Sequence, residues 1–199
     1  GEEKTLRLEL KLIADVGLVG KPNAGKSTLL SALTRATPKI ADYPFTTLSP
    51  QLGIAELDPA RRIVIADIPG LIEGAAHGAG LGHEFLRHIE RTRVIIHLIE
   101  VEPTDGSDLV ENYRIIRSEL EQYASALLDK PEIIAVSKVD LLLEEADAAA
   151  LVARVRTELR LDPDVDVLPI SSATRTGLTP LLEACWKRLA ALPQDTPSN

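Results

Sequence analysis

Eight consecutive residues, Gly20-Lys21-Pro22-Asn23-Ala24-Gly25-Lys26-Ser27, constrain this chain more than any other feature. They follow the apolar run Ile13–Val19 and precede a helix-like segment starting near Gly25. The spacing G-x-x-x-x-G-K-S between a strand and a helix is that of a phosphate-binding loop. Glycines let its backbone N–H groups turn inward around phosphate oxygens. The helix adds the positive end of its dipole. Lys26 would neutralise the β- and γ-phosphates, and the Ser27 hydroxyl would ligate Mg²⁺. The loop alone leaves adenine and guanine nucleotides undecided.

The rest of the chain repeats the strand-then-helix rhythm. Leu6, Leu8, Leu10 and Leu12 alternate with polar residues as in a half-buried strand. Ile63–Ala66, Val94–Val101, Ile133–Val136 and Val165–Ile170 are short, β-branched apolar runs. Between and after them, helical stripes run Leu109, Tyr113, Ile116, Leu120, Tyr123, Leu127; then Leu151, Val155, Leu159; then Leu178, Leu181, Leu182, Cys185, Leu189. This alternation predicts an α/β fold with a mainly parallel sheet of about six strands and helices on both faces. In such sheets the ligand sits at the carboxyl ends of the strands. The chemistry therefore belongs in the loops that follow each apolar run.

Two loops read as nucleotide-sensing segments. Asp67-Ile68-Pro69-Gly70 follows Ile63–Ala66; Asp67 would reach Mg²⁺ through a water, and the Gly70 N–H would touch the γ-phosphate. A carboxylate ending a hydrophobic strand needs such a partner. Upstream, one threonine of Tyr43-Pro44-Phe45-Thr46-Thr47-Leu48 would bring its hydroxyl to Mg²⁺ and its N–H to the γ-phosphate. Both contacts vanish when the γ-phosphate leaves, and the loops relax. The glycine-rich run Gly70–Gly82 fits such mobility.

Two later loops select the base. Ser137-Lys138-Val139-Asp140 ends the run Ile133–Val136 and fits N/T-K-x-D, with serine in place of asparagine. Asp140 would accept two hydrogen bonds from guanine, and Lys138 would lay its aliphatic stem along the base. Adenine offers no such donor pair, a mismatch that discriminates by about 10⁴-fold. Ser171-Ser172-Ala173 would bring the Ala173 N–H to guanine O6. Ser137 reaches less far than asparagine and has fewer donors, which predicts guanine specificity with reduced affinity.

Composition narrows the partners. Twenty-two basic against 30 acidic residues leave a net charge of −8, which disfavours nucleic-acid binding through bulk charge. No apolar run is long enough to span a bilayer, so no membrane role is expected. The single cysteine, Cys185, excludes an internal disulfide framework and fits a reducing compartment. The start at Gly1, the lack of methionine and the terminal Pro193–Asn199 segment predict a domain of residues 1–192, cut from a longer protein, with a linker over 193–199.

Taken in order, Leu8–Gly20, Gly20–Thr28, Ala41–Pro50, Ala66–Gly82 and Gly82–Arg93 resemble the Obg family of ribosome-associated GTPases. Ala41–Leu48, Asp67–Ala75 and Gly80–His88 carry the likeness most specifically. The resemblance implies a Ras-like P-loop NTPase fold and a Mg²⁺-dependent, GTP-hydrolysing switch. It selects Thr47 as the Mg²⁺ ligand, beside Ser27 and Asp67, and implies catalytic roles for Lys26, Thr47 and Gly70. The implied nucleotide-facing set adds Thr28, Phe45, Thr46, Ile68 and Pro69. It further implies a cytoplasmic monomer that joins large ribosomal subunit assembly through parts of the protein outside this chain, and that senses guanine nucleotides or their alarmones.

Where Ras-like enzymes carry a water-orienting glutamine after D-x-x-G, this chain has Leu71, so slow turnover is expected. Asn23 resembles the asparagine of GTPases that recruit K⁺ beside the phosphates; a loop-stabilising role fits it equally. Arg35, Arg61 and Arg62 read as surface charges rather than arginine fingers. His83, Arg87, His88, Arg91 and Arg93 form a basic stretch that would face a partner or simply solvent. His97, Cys185 and Trp186 read as packing residues. Two other classes compete: an ATPase or small-molecule kinase, and a non-catalytic module that binds nucleotide for structure alone. Asp140, Ala173 and the Thr46-Thr47 loop argue against the first, and the set Lys26, Ser27, Thr47 and Asp67 against the second.

Overall fold

Alternation of side chains along buried strands sets the layers of this molecule. In the computed structural model, which describes residues 14–34, 37–40, 51–67, 90, 92–123 and 125–193, the strands form a seven-stranded sheet. They are β1 (Val16–Gly20), β2 (Lys39–Ile40), β3 (Gln51–Asp58), β4 (Arg61–Asp67), β5 (Val94–Glu100), β6 (Glu132–Ser137) and β7 (Asp166–Pro169). Their order is β2-β3-β4-β1-β5-β6-β7. From β4 to β7 every pairing is parallel, whereas β3 pairs antiparallel with both β2 and β4.

The helices are α1 (Lys26–Leu33), α2 (Leu109–Tyr123), α3 (Glu145–Leu159) and α4 (Leu178–Ala191). Odd and even strand positions go to opposite faces. Ile96, Leu98, Ile133 and Ala135 pack with Leu29 and Leu30 of α1 and Leu181 and Cys185 of α4. Ile99, Ile134 and Val136 pack on the other face with Leu109, Val110 and Tyr113 of α2 and Val155 of α3. Strands buried on both faces read as continuous apolar runs, which is why the β5 and β6 runs stand out in the sequence.

Among the described residues the sheet has seven strands against about six expected, and the two that no apolar run announces are β2 and β3. β2 is only two residues long. β3 inverts the usual pattern: Gly53 and Ala55 are buried while Ile54 is 54% exposed. α1 presses so closely on this strand that a Cβ at Gly53 would collide with Thr34 Cγ2 and lie 3.0 Å from Leu30 Cδ1. Small residues therefore face the core there, and the hydrophobic signal disappears. The helical stripe expected to reach Leu127 does not stay α-helical throughout: α2 is described to Tyr123, and Ser125–Leu127 form a short 3-10 turn. The alternating leucines Leu6–Leu12 lie outside the described residues.

Candidate nucleotide site

Because β4, β1, β5, β6 and β7 run parallel, their carboxyl ends share one edge of the sheet. That edge carries Asp67, Gly20, Ser137 and the Ser171 loop, which the sequence reading singles out, and also Glu100, which it does not. The phosphate loop turns at Gly20, whose φ of 152° and contact with β5 exclude a side chain; a Cβ there would lie 2.6 Å from the Leu98 carbonyl oxygen. Gly25 makes the second turn at φ 96° before α1 begins at Lys26. Between them Asn23 adopts the left-handed region at φ 64°, a conformation asparagine tolerates better than most residues. Ala24 is buried, whereas Asn23, Ser27 and Thr28 are exposed.

Lys26 Nζ arches back over the loop and donates to the carbonyl oxygens of Gly20 (2.8 Å) and Lys21 (3.0 Å). The Ser27 hydroxyl donates to Asp67 Oδ2 at 2.6 Å, joining the loop to the end of β4. Asp67 is only 4% exposed, and its Oδ1 is buried with no hydrogen-bond partner among the described residues. An orphaned carboxylate oxygen in such a place calls for a cation or a water held by one. The described residues hold no group of three or more His, Cys, Asp or Glu side chains that could hold a metal ion by themselves. A hydroxyl and one carboxylate instead suit Mg²⁺, which keeps several waters and takes substrate phosphates as ligands. Thr47, Thr46, Phe45, Ile68, Pro69 and Gly70 lie outside the described residues.

The base-selecting loop touches the phosphate loop directly. Ser137 is buried, and its hydroxyl donates to the Ala24 carbonyl at 2.9 Å, with the Ile99 carbonyl at 3.3 Å. Lys138 takes a left-handed turn at φ 64° and its ammonium pairs with Glu100. Asp140 sits exposed in a 3-10 turn, Val139–Leu141, at the same edge. Val139 N–H donates to the Ile170 carbonyl at 3.2 Å, which docks this turn on the Ser171-Ser172-Ala173 loop. Within that loop the buried Ser171 accepts from Thr174 N–H at 3.1 Å, and Ala173 is exposed. The residues that the sequence reading assigns to phosphate, metal and base, where described, thus converge on one edge.

Residues 15–138 match the family described as 50S ribosome-binding GTPase. The chain belongs to that family. It is 54% identical over 186 residues to GTPase Obg of Symbiobacterium thermophilum, covering 94% of this chain and 43% of that protein. Against GTPase Obg of Synechocystis the figures are 51% over 189 residues, 95% and 49%. The chain therefore spans about half the length of the curated relatives it matches. The fold is also that of Era in complex with MgGDPNP and nucleotides 1506–1542 of 16S ribosomal RNA, with a TM-score of 0.64 and 27% identity over 92% of this chain and 58% of that one.

Other expectations resolve against this frame. Lys21 carries its side chain away from Lys26, to Asp105, Ser107 and Asn112 in and after the β5–α2 connection. None of Glu100, Asp105 and Asn112 belongs to a motif that the sequence reading singles out. Arg61 pairs with Asp58 (2.5 Å) and Arg62 with Glu56 (2.9 Å) within the β3–β4 hairpin, and Arg61 also pairs with Glu183 of α4 (2.7 Å). Of the basic stretch His83–Arg93 the structure describes the side chain of Arg93: its guanidinium donates to the carbonyls of Leu189 (3.2 Å) and Pro193 (3.4 Å) at the end of α4. Arg35, His83, Arg87, His88 and Arg91 lie outside the described residues.

His97 is a core residue, as expected, but not a fully satisfied one: its buried Nε2 has no hydrogen-bond partner among the described residues. It is fully buried, its Nδ1 lies 2.9 Å from Glu132 Oε1, and its ring stacks on Tyr113 at 4.5 Å. Tyr113 donates to Glu132 Oε2 at 2.8 Å. Burial works to raise the Glu132 carboxyl, yet the bond from His97, with Arg117 and Tyr113, holds it below the ordinary carboxylate range. Cys185 is buried, and burial pushes its thiol up to about 12. No helix among the described residues is long and apolar enough to cross a membrane.

Proposed function

We propose that this chain binds GTP and GDP with Mg²⁺ and hydrolyses GTP slowly, as the switch domain of a longer protein acting on the large ribosomal subunit. One observation carries the reading: a buried Asp67 oxygen without a partner among the described residues, beside the Ser27 hydroxyl at the mouth of the Gly20–Ser27 loop. Ser27, Asp67 and Thr47 would hold Mg²⁺, and the bound metal would neutralise charge developing on the phosphates. Lys26 exchanges its carbonyl partners for phosphate oxygens. The N–H groups of the loop and of Gly70 then hold the phosphates from the other side. Asp140 reads the guanine edge, and Lys138 and the Ala173 N–H frame the base.

The chain supplies no glutamine after Asp67-Ile68-Pro69-Gly70, so water is poorly oriented and the state with GTP is long-lived. Thr47 and Gly70 would sense the γ-phosphate and release when it leaves. The exposed, left-handed Asn23 supports K⁺ beside the phosphates as a further positive charge. The relatives' name supports ribosomal action. Guanine alarmones share the guanosine and 5′-phosphates that this site would read, so they belong to the same proposal. So do residues 1–192 as the unit, 193–199 as a linker, a monomeric state and a cytoplasmic location.

Affinities for GDP, GTP and ADP, with phosphate release in KCl and in NaCl, test this reading. GDP should outcompete ADP, Lys26→Ala should abolish binding, and KCl should give the faster single-turnover rate. Stronger binding of ADP would refute the base assignment. Failure to release phosphate with Mg²⁺, K⁺ and ribosomes present would refute hydrolysis, and equal rates in the two salts would remove the K⁺ role.

A further inference from the structure

The segment that joins β5 to α2 holds both ends of the site, and no motif assigns it a role. At its start, Glu100 is 7% exposed and pairs with the Lys138 ammonium. Val101 N–H donates to the Ser137 carbonyl at 3.1 Å, so the strand end is stitched to the base-selecting loop. Farther on, Asp105 Oδ2 lies 2.7 Å from Lys21 Nζ, and Asn112 Oδ1 lies 3.0 Å from the same atom. Ser107 ties these groups together: its hydroxyl donates to Asp105 Oδ1 at 2.5 Å and accepts from Asn112 Nδ2 at 2.8 Å. Asn112 is itself buried, on the first turn of α2. Asp108 fixes that turn by accepting the N–H groups of Val110 (2.9 Å) and Glu111 (3.1 Å).

Lys21 is consequently gripped from two sides. Its ammonium is held by three oxygens of this segment, and its carbonyl accepts Lys26 Nζ at 3.0 Å. An ammonium with three such partners is not available to the phosphates. Lys21 serves instead to fix the peptide that carries one wall of the loop. Its hydrogen bond and charge hold the Asp105 carboxyl well below the ordinary carboxylate range, in keeping with a formed pair.

We infer that Glu100, Asp105 and Asn112 are positioning residues for the nucleotide: Asp105 and Asn112 set the phosphate loop through Lys21, and Glu100 sets the base loop through Lys138. This inference rests on the nucleotide reading above. Groups held in place before the ligand arrives need no ordering when it binds, so loosening them speeds its release.

The test compares GDP and GMP, because GMP lacks the β-phosphate that the Lys21 wall would face. In the full chain, Asp105→Asn and Asn112→Ala should speed GDP dissociation by about three- to tenfold and reduce the ratio of GDP to GMP affinity. Glu100→Gln should weaken both nucleotides alike. A change confined to folding would lower the melting temperature but leave the GDP-to-GMP ratio unmoved at every position. Swapping the pair, as Lys21→Asp with Asp105→Lys, should restore part of the GDP affinity lost by either change alone. GDP release that is unchanged or slower in Asp105→Asn overturns the inference, as does a GDP-to-GMP ratio unmoved in Asp105→Asn and Asn112→Ala. If wild type binds GDP and Lys26→Ala does not, such a result removes the bracket alone. A wild type that takes up no GDP removes the site reading first, and the bracket with it.

Discussion

Replacing Ser137 by alanine removes a buried side-chain bond that ties the base loop to the phosphate loop. Its hydroxyl has a single proton and two carbonyl neighbours, Ala24 at 2.9 Å and Ile99 at 3.3 Å, so the shorter contact takes it. Ser137 is 4% exposed and Ala24 2%, and removing one oxygen opens too little room for a replacement water. A buried acceptor deprived of its donor costs about 1–3 kcal/mol. For a chain of this size each kcal/mol moves Tm by about 2–4 °C, so Ser137→Ala should lower it by about 2–12 °C. The loss also unlinks the two loops, and GDP should bind about three- to tenfold more weakly. Differential scanning calorimetry and fluorescence titration with a labelled GDP measure the two effects. A Tm within about 1 °C of wild type, together with unchanged GDP affinity, would refute the view that this hydroxyl joins the loops.

Further predictions concern the base, the buried network and the thiol. Asp140→Asn should shift preference from guanine toward xanthine, because the amide presents a donor where the carboxylate accepts; competition of GDP against XDP checks it. Glu132 titrates below its ordinary value of 4.5 in the folded chain, so the stability it contributes is complete above that pH. That stability is lost as the pH falls through the lowered value, and acid melts of Glu132→Gln should be flatter than those of wild type below about pH 4.5. Cys185, buried with its thiol raised to about 12, should resist maleimide at neutral pH in the folded chain and react once urea unfolds it.

The sequence by itself determined the fold class and most of the candidate site. A run buried on both faces has to be apolar throughout, so β1, β5 and β6 are legible without any partner, and helices that cover a sheet must carry a 3.6-residue stripe. The loop Gly20–Ser27, Asp67 and Ser137–Asp140 are legible because phosphate, metal and guanine each demand particular atoms at fixed spacing. What only the tertiary structure decided is where non-motif residues meet. β3 escapes sequence reading because its buried face is Gly53 and Ala55, a choice forced by the closeness of α1. Asp105 and Asn112 are 84 and 91 positions from Lys21, and Glu100 is 38 from Lys138, so no local pattern can announce their pairing. Such contacts are products of strand order: β1 lies beside β5, and β5 beside β6, which brings their following loops into reach. Arg93 is a further case: it lies in a basic stretch of the sequence, and only the packing of α4 makes its guanidinium a helix cap.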